Sequence, residues 1–134
     1  MYFVSALRDT ATHNSDLYVA SKPPGASAWT PVVRLAGVSS ATEFDHLPVV
    51  ARTGDSLSLV WVRHDTTQAL PWLNPKSHLY NATSTDGLAW STPSRITQDT
   101  DLVVNLFPAL FPSHAGVWSL VWLSTSVSPP VAES

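Results

Sequence analysis

Side chains able to bind or transform a small molecule crowd into four stretches of this sequence: Arg8 to Ser15, Ala36 to His46, His64 to Ser77 and Gln98 to Asn105. In or beside them stand Glu43, Asp45, His46, Arg63, His64, Asp65, Trp72, Asn74, Asp99, Asp101 and Asn105. Two carboxylates held roughly 5–9.5 Å apart, one with a raised pKa, would hydrolyse a glycosidic bond. The acidic residues supply the types for such a pair, but a sequence does not fix their separation. Trp72 sits between two prolines in "HDTTQALPWLNPKS". A tryptophan on a loop stiffened in this way can stack on the apolar face of a sugar ring. The alternative is that it packs on its own sheet or at a subunit contact. His64 and His78 could meet across the ends of that loop, yet a metal site would need a third ligand. Neither a metal nor a cofactor is expected.

Composition narrows the classes. Charged residues make up 13% of the 134 and hydrophobic residues 44%, so a core is affordable and the surface is short of charge. Low charge in a strand-rich chain favours association through exposed patches. Seven basic residues are scattered, with no run and a net charge of −3. The electrostatic footprint of a nucleic-acid binder is therefore missing. There is no cysteine, which excludes disulfides, thiolate metal sites and thiol nucleophiles. The opening "MYFVSALRDT" lacks the basic and apolar regions of a signal peptide, and no apolar run has membrane-helix length. No membrane partner is expected, and the compartment stays open. Asn81-Ala82-Thr83 is formally a glycosylation sequon, but it falls within an expected strand and reads as coincidence.

The elements that would position these residues are strands. Short alternating runs rich in Val, Leu, Trp and Tyr are bounded by Gly, Pro, Asp and Ser. In "SLSLVWVR" Leu57, Leu59 and Trp61 fall on one face and Val60 and Val62 on the other, so both faces read as buried. "GVWSLVWLS" repeats the pattern with Trp118, Leu120 and Trp122.

The chain also repeats itself. Leu17-Tyr18 matches Leu79-Tyr80 at an offset of 62, as Gly25 does Gly87. Trp29 matches Trp90 at 61, Arg34-Leu35 matches Arg95-Ile96 at 61, and Leu59-Val60-Trp61 matches Leu120-Val121-Trp122 at 61. Pro48 matches Pro108 at 60, each three residues after Asp45 or Asn105. "VSALRDT", from Val4, resembles "LVWVRHDT", from Leu59, and opens a partial third copy. Each unit of about 60 residues reads as four strands, a length and strand number typical of propeller blades. A partial blade over 1–35, a full blade over 44–97, a partial blade over 105–125 and a disordered tail over 126–134 are expected.

Ser84-x-Asp86-Gly87-x-x-Trp90 resembles the Asp-box, the hairpin repeated in sialidase-like (BNR) β-propellers, and the strands around it resemble those blades along most of the chain. The family pattern places one residue between Asp and Gly, and here there is none. The first copy, "SKPPGASAW", has Pro23 where the aspartate should be. The resemblance implies an all-β fold of tandem four-stranded antiparallel propeller blades, with the box as a structural turn remote from the ligand face. It implies ligand-binding loops, which here hold Trp72, Asp65, His64, Arg63, Asp45, Glu43, Asn105 and Asp101. The repeat equivalence of Asp45 and Asn105 also fits a turn-capping role. The family's catalytic set of three arginines and a Tyr–Glu pair finds no match, so no catalytic residue is assigned. Expected is a non-catalytic binding or assembly module, with carbohydrate as a candidate ligand. The alternative is a fragment or relative of a glycoside hydrolase whose catalytic residues lie outside this chain. About two blades cannot close a propeller, so a homo-oligomer, dimer or trimer, is expected to complete it.

Overall fold

The computed structural model describes residues 1–8, 14–64, 76–99, 103–112 and 117–126. These residues form nine strands and no helix. In chain order the strands are β1 (Tyr2–Arg8), β2 (Ser15–Ser21), β3 (Val33–Arg34), β4 (Phe44–Thr53), β5 (Ser56–His64), β6 (Ser77–Ser84), β7 (Ser94–Arg95), β8 (Val103–Pro112) and β9 (Trp118–Ser126). Every pairing is antiparallel, in three open sheets ordered β1-β2-β3, β4-β5-β6-β7 and β8-β9. The all-β character expected from the period-two runs is found, and none of the sheets closes on itself.

The sheets stack in order. The core between the first and the middle sheet holds Leu17, Val19, Leu35 and Val38 against Leu59, Trp61 and Ala82, all buried. Val4, Ala6, Tyr80 and Trp90 pack on its margin. Val60 and Asn81 on the other face of the middle sheet line a gap shared with Leu110, Trp118 and Leu120 of the last sheet. The middle sheet is thus covered on both faces, as the double alternation of β5 requires.

The repeat extends to the hydrogen bonds. Leu35 N–H donates to Leu17 O at 2.8 Å, and Ile96 N–H to Leu79 O at 2.8 Å. Thr30 N–H donates to Ser21 O, and Ser91 N–H to Thr83 O, both at 2.8 Å. Gly25 and Gly87 both adopt the left-handed conformation, φ 79° and 78°. Gly87 is fixed twice over, because an added Cβ there would collide with the ring of Tyr2 from β1. One sequence match does not survive as drawn. Ser5 pairs with Tyr18 where Trp61 pairs with Tyr80, and Leu7 faces Asp16 where Arg63 faces His78. β1 is therefore shifted by one residue from the alignment that matched Arg8 to Arg63, which moves its side chains to opposite faces.

Both long first strands carry a bulge at the shared proline. Leu47-Pro48 oppose Trp61 alone, and Phe107-Pro108 oppose Trp122 alone. Leu47 and Phe107 take φ 49° and 52°, a left-handed conformation unusual for large side chains. The same strain at equivalent positions marks the bulge as part of the repeat.

The Asp86 turn holds itself together. Asp86 Oδ1 accepts from Leu88 N–H at 2.8 Å and Ala89 N–H at 2.9 Å, and from the Ser84 hydroxyl at 3.0 Å. Ser84 Oγ accepts from Gly87 N–H at 2.8 Å, and Trp90 Nε1–H donates to Gly87 O at 3.1 Å. The bonds from Leu88 and Ala89, then Ser84, hold the Asp86 pKa below its usual 3.8. A depressed carboxylate stabilises the fold above its unfolded pKa, and that contribution is lost as pH falls through the folded value. Asp86→Asn should lower the melting temperature at pH 7 and bring variant and wild type closer together below pH 3.8. Parallel melting curves at every pH would show that the carboxylate charge does not hold this turn.

Candidate functional site

The candidate residues among those described gather at one end of the middle sheet. β4, β5 and β6 bring Asp45, Arg63 and His78 into adjacent register there, while the Asp86 turn lies beyond the opposite end, next to the Leu57–Ser84 pair. Asp65, Trp72 and Asp101 lie outside the described residues, as does Asn74.

On the face toward the first sheet, Asp45 is fully buried. Its Oδ1 accepts from Trp61 Nε1–H at 2.8 Å and Arg63 Nε–H at 2.7 Å. Its Oδ2 accepts from Ser40 N–H at 2.7 Å and Arg63 Nη2–H at 3.1 Å. Arg63 Nη2 also donates to Val38 O at 2.8 Å, Nη1 lies 3.5 Å from Glu43 Oε2, and the guanidinium covers the Tyr80 ring at 4.5 Å. Burial opposes the charged guanidinium, but the bonds and charge of Asp45, helped by Glu43, prevail and raise its pKa. With four donors on two oxygens, Asp45 has no lone pair left for a ligand. Of this cluster, Glu43 presents the most open surface, its side chain 35% exposed.

The last sheet repeats this knot with an amide in place of the buried carboxylate. Asn105 occupies the place of Asp45 and is buried. Its Oδ1 accepts from Trp122 Nε1–H at 3.0 Å, as Asp45 does from Trp61. Its Nδ2 donates to Asp99 Oδ2 and to Ser77 O, each at 2.8 Å. The Ser77 hydroxyl accepts from Asn105 N–H and donates to Asn105 O, tying the last sheet to the middle one. The cross-strand partner of Asp45 is Arg63, and that of Asn105 is Ser124. The buried negative charge is present only where a buried positive charge faces it. Sequence reasoning passed over Ser77, although its repeat match to Ser15 at 62 was visible.

On the other face, Phe44, His46 and His64 cluster. The two imidazoles lie 4.6 Å apart between centroids, and Phe44 is 5.2 Å from His46. His46 Nε2 is buried without a hydrogen-bond partner. Burial, then the neighbouring His64, lowers the His46 pKa from 6.5 to about 4. His78 pairs with Arg63 and His64 with Ser77, so the two histidines point to opposite faces and do not meet. Among the described residues, no three His, Cys, Asp or Glu side chains converge as metal ligands would.

Of the residues named from sequence, Asp45, Arg63 and Glu43 come together. His64 lies beside His46 on the reverse face, and Asn105 joins the next sheet. The arrangement is well suited to locking sheets together, and its charges are satisfied internally. The sequence matches no family model, no curated protein and no solved structure.

Proposed function

We propose that this chain is a non-catalytic binding and assembly module of sialidase-like propeller type, whose outer sheets are completed by another chain. One observation carries the reading. The triplet Leu59-Val60-Trp61 in the middle sheet is 0%, 3% and 0% exposed, whereas Val121 and Trp122 of its copy in the last sheet are 59% and 39% exposed. Two copies of one apolar strand thus meet opposite environments. Exposed apolar area on the order of 25 cal/mol per Å² favours cover for the second copy. The Asp86 turn and the repeated [Asp/Asn]-x-x-Pro bulge are consistent with blades of one propeller. The internally satisfied Asp45–Arg63 knot fits a structural use of the polar end better than a catalytic one.

Light scattering at micromolar concentration tests the assembly reading. A mass above the 14.5 kDa of one chain is expected, and a stable monomer would overturn it. A glycan array tests the carbohydrate arm, for which Trp72 is the sequence-based anchor. Retention of a glycan by the wild type and its loss in Trp72→Ala, with unchanged melting temperature, is expected. A drop in melting temperature matching that of Trp61→Ala would instead make Trp72 a packing residue.

A further inference from the structure

The internal packing of the chain specifies what should cover its open end. In the first interface, Val4 on the forward face of the first sheet packs against the cluster containing Leu59 on the rear face of the middle sheet. In the second, Val60 on the forward face of the middle sheet lines one gap with Leu120 on the rear face of the last. Register relates the two interfaces. Val4 faces Val19 as Val60 faces Asn81, and Val19 matches Asn81 at an offset of 62. Leu59 and Leu120 are repeat copies of each other. One step, a forward valine against a rear apolar residue of strand two, is therefore used twice.

The next forward valine in the series is Val121, the copy of Val60. It is 59% exposed, with Leu123 beside it at 54%. A matching rear face is exposed on the first sheet. There Phe3, which pairs with Ala20 as Leu59 pairs with Ala82, is 57% exposed, and Leu7 is 51% exposed. The forward face of β8 and β9 carries no ionisable side chain, since neither strand contains one. It would oppose no charge on Phe3 or Leu7.

We infer that two copies of this chain join head to tail, the forward face of the last sheet of each on the rear face of the first sheet of the other, with Val121 against Phe3. This rests on the assembly reading above and names its partner and contact. The copy number follows from the sheets. The described residues of each chain form three sheets, of three, four and two strands; with each sheet taking one blade position, two chains fill six, inside the range of about four to eight blades that propellers use, whereas three chains would fill nine. A cyclic pair satisfies both open ends with one contact made twice.

Val121→Arg and Phe3→Glu test the contact. Both side chains are more than half exposed in the single chain, so each variant should fold with the wild-type circular dichroism spectrum and remain soluble. By light scattering the wild type should show twice the mass of one chain. Each variant alone should show half the wild-type mass. An equimolar mixture of the two should return to the wild-type mass, because one joint pairs arginine with glutamate and the other is unaltered. Loss of association in Val121→Arg alone, with Phe3→Glu unaffected, would mean that last sheets pack on each other and would overturn the head-to-tail contact. A wild-type dimer indifferent to both substitutions would overturn the docking while leaving the assembly reading intact. A monomeric wild type would overturn both.

Discussion

Arg63→Ser should destabilise the chain by about 3–5 kcal/mol, and adding Asp45→Asn should restore it to within about 1–2 kcal/mol of the wild type. Arg63 supplies two of the four hydrogen bonds to a carboxylate that no water reaches. Without it, Asp45 keeps Trp61 Nε1–H and Ser40 N–H but becomes a buried charge with no counter-ion. Removing one partner of a buried pair is far more destabilising than removing both. The chain already contains the double replacement, since Asn105 and Ser124 hold the equivalent cross-strand positions in the last sheet. An asparagine at position 45 would still accept from Trp61, as Asn105 accepts from Trp122 at 3.0 Å. What the double variant does lose is the Ser40 N–H bond, whose acceptor Oδ2 becomes a donor Nδ2, together with the Arg63 bond to Val38 O and its contact over Tyr80. Urea unfolding of the wild type, Arg63→Ser, Asp45→Asn and the double variant yields the coupling energy. If the double variant were as unstable as Arg63→Ser alone, the pair would not act as a charge-balanced unit.

This knot also shows how far the sequence could be read. The equivalence of Asp45 and Asn105 was visible from the spacing to Pro48 and Pro108, and so were the flanking strands. The partners were not, because Trp61, Arg63 and Trp122 lie 16 to 18 residues away and meet their acceptors only through strand register. A turn cap is a local event, and Asp45 does bond the turn amide of Ser40, but most of its bonds cross to β5. The bulge was hidden for a related reason. A residue before proline is steered toward extended backbone, so nothing in Leu47-Pro48 or Phe107-Pro108 announces a positive φ. The slip in β1 is the weakness of a short match. "VSALR" and "LVWVR" align by letters at Arg8, whereas the backbone aligns them by the longer β2–β6 correspondence. The glycine turn read best, because φ near 78° at Gly25 and Gly87 is a demand that composition records directly.

Acidification from pH 6.5 to 4 should remove on the order of 2–3 kcal/mol of stability through His46 alone, and His46→Leu should abolish that part of the loss. The sign follows from which state binds the proton first. In the unfolded chain His46 titrates near 6.5, and in the fold near 4. As pH falls, the unfolded chain takes up the proton while the folded chain refuses it. The neutral imidazole thus contributes stability that is intact above about 6.5 and is spent by about 4. Burial is the first cause of the depression and His64, 4.6 Å away, the second. Among the described residues, no group packed on His46 offers compensation. Phe44 and Val62 are apolar, β8 contains no ionisable side chain, and Asp45, Glu43 and Arg63 are engaged with one another on the reverse face. Leucine is the substitution that the repeat itself supplies. Leu106 matches His46 at an offset of 60 and faces Leu123 as His46 faces Val62. Because Nε2 of His46 is buried without a partner, its removal forfeits no hydrogen bond. Other carboxylates and histidines titrate over the same interval, so the informative quantity is the difference in unfolding free energy between the wild type and His46→Leu, measured from pH 7 to 4. That difference should widen steadily in favour of the variant. A constant difference would show that His46 takes up its proton in the fold as readily as in the unfolded chain.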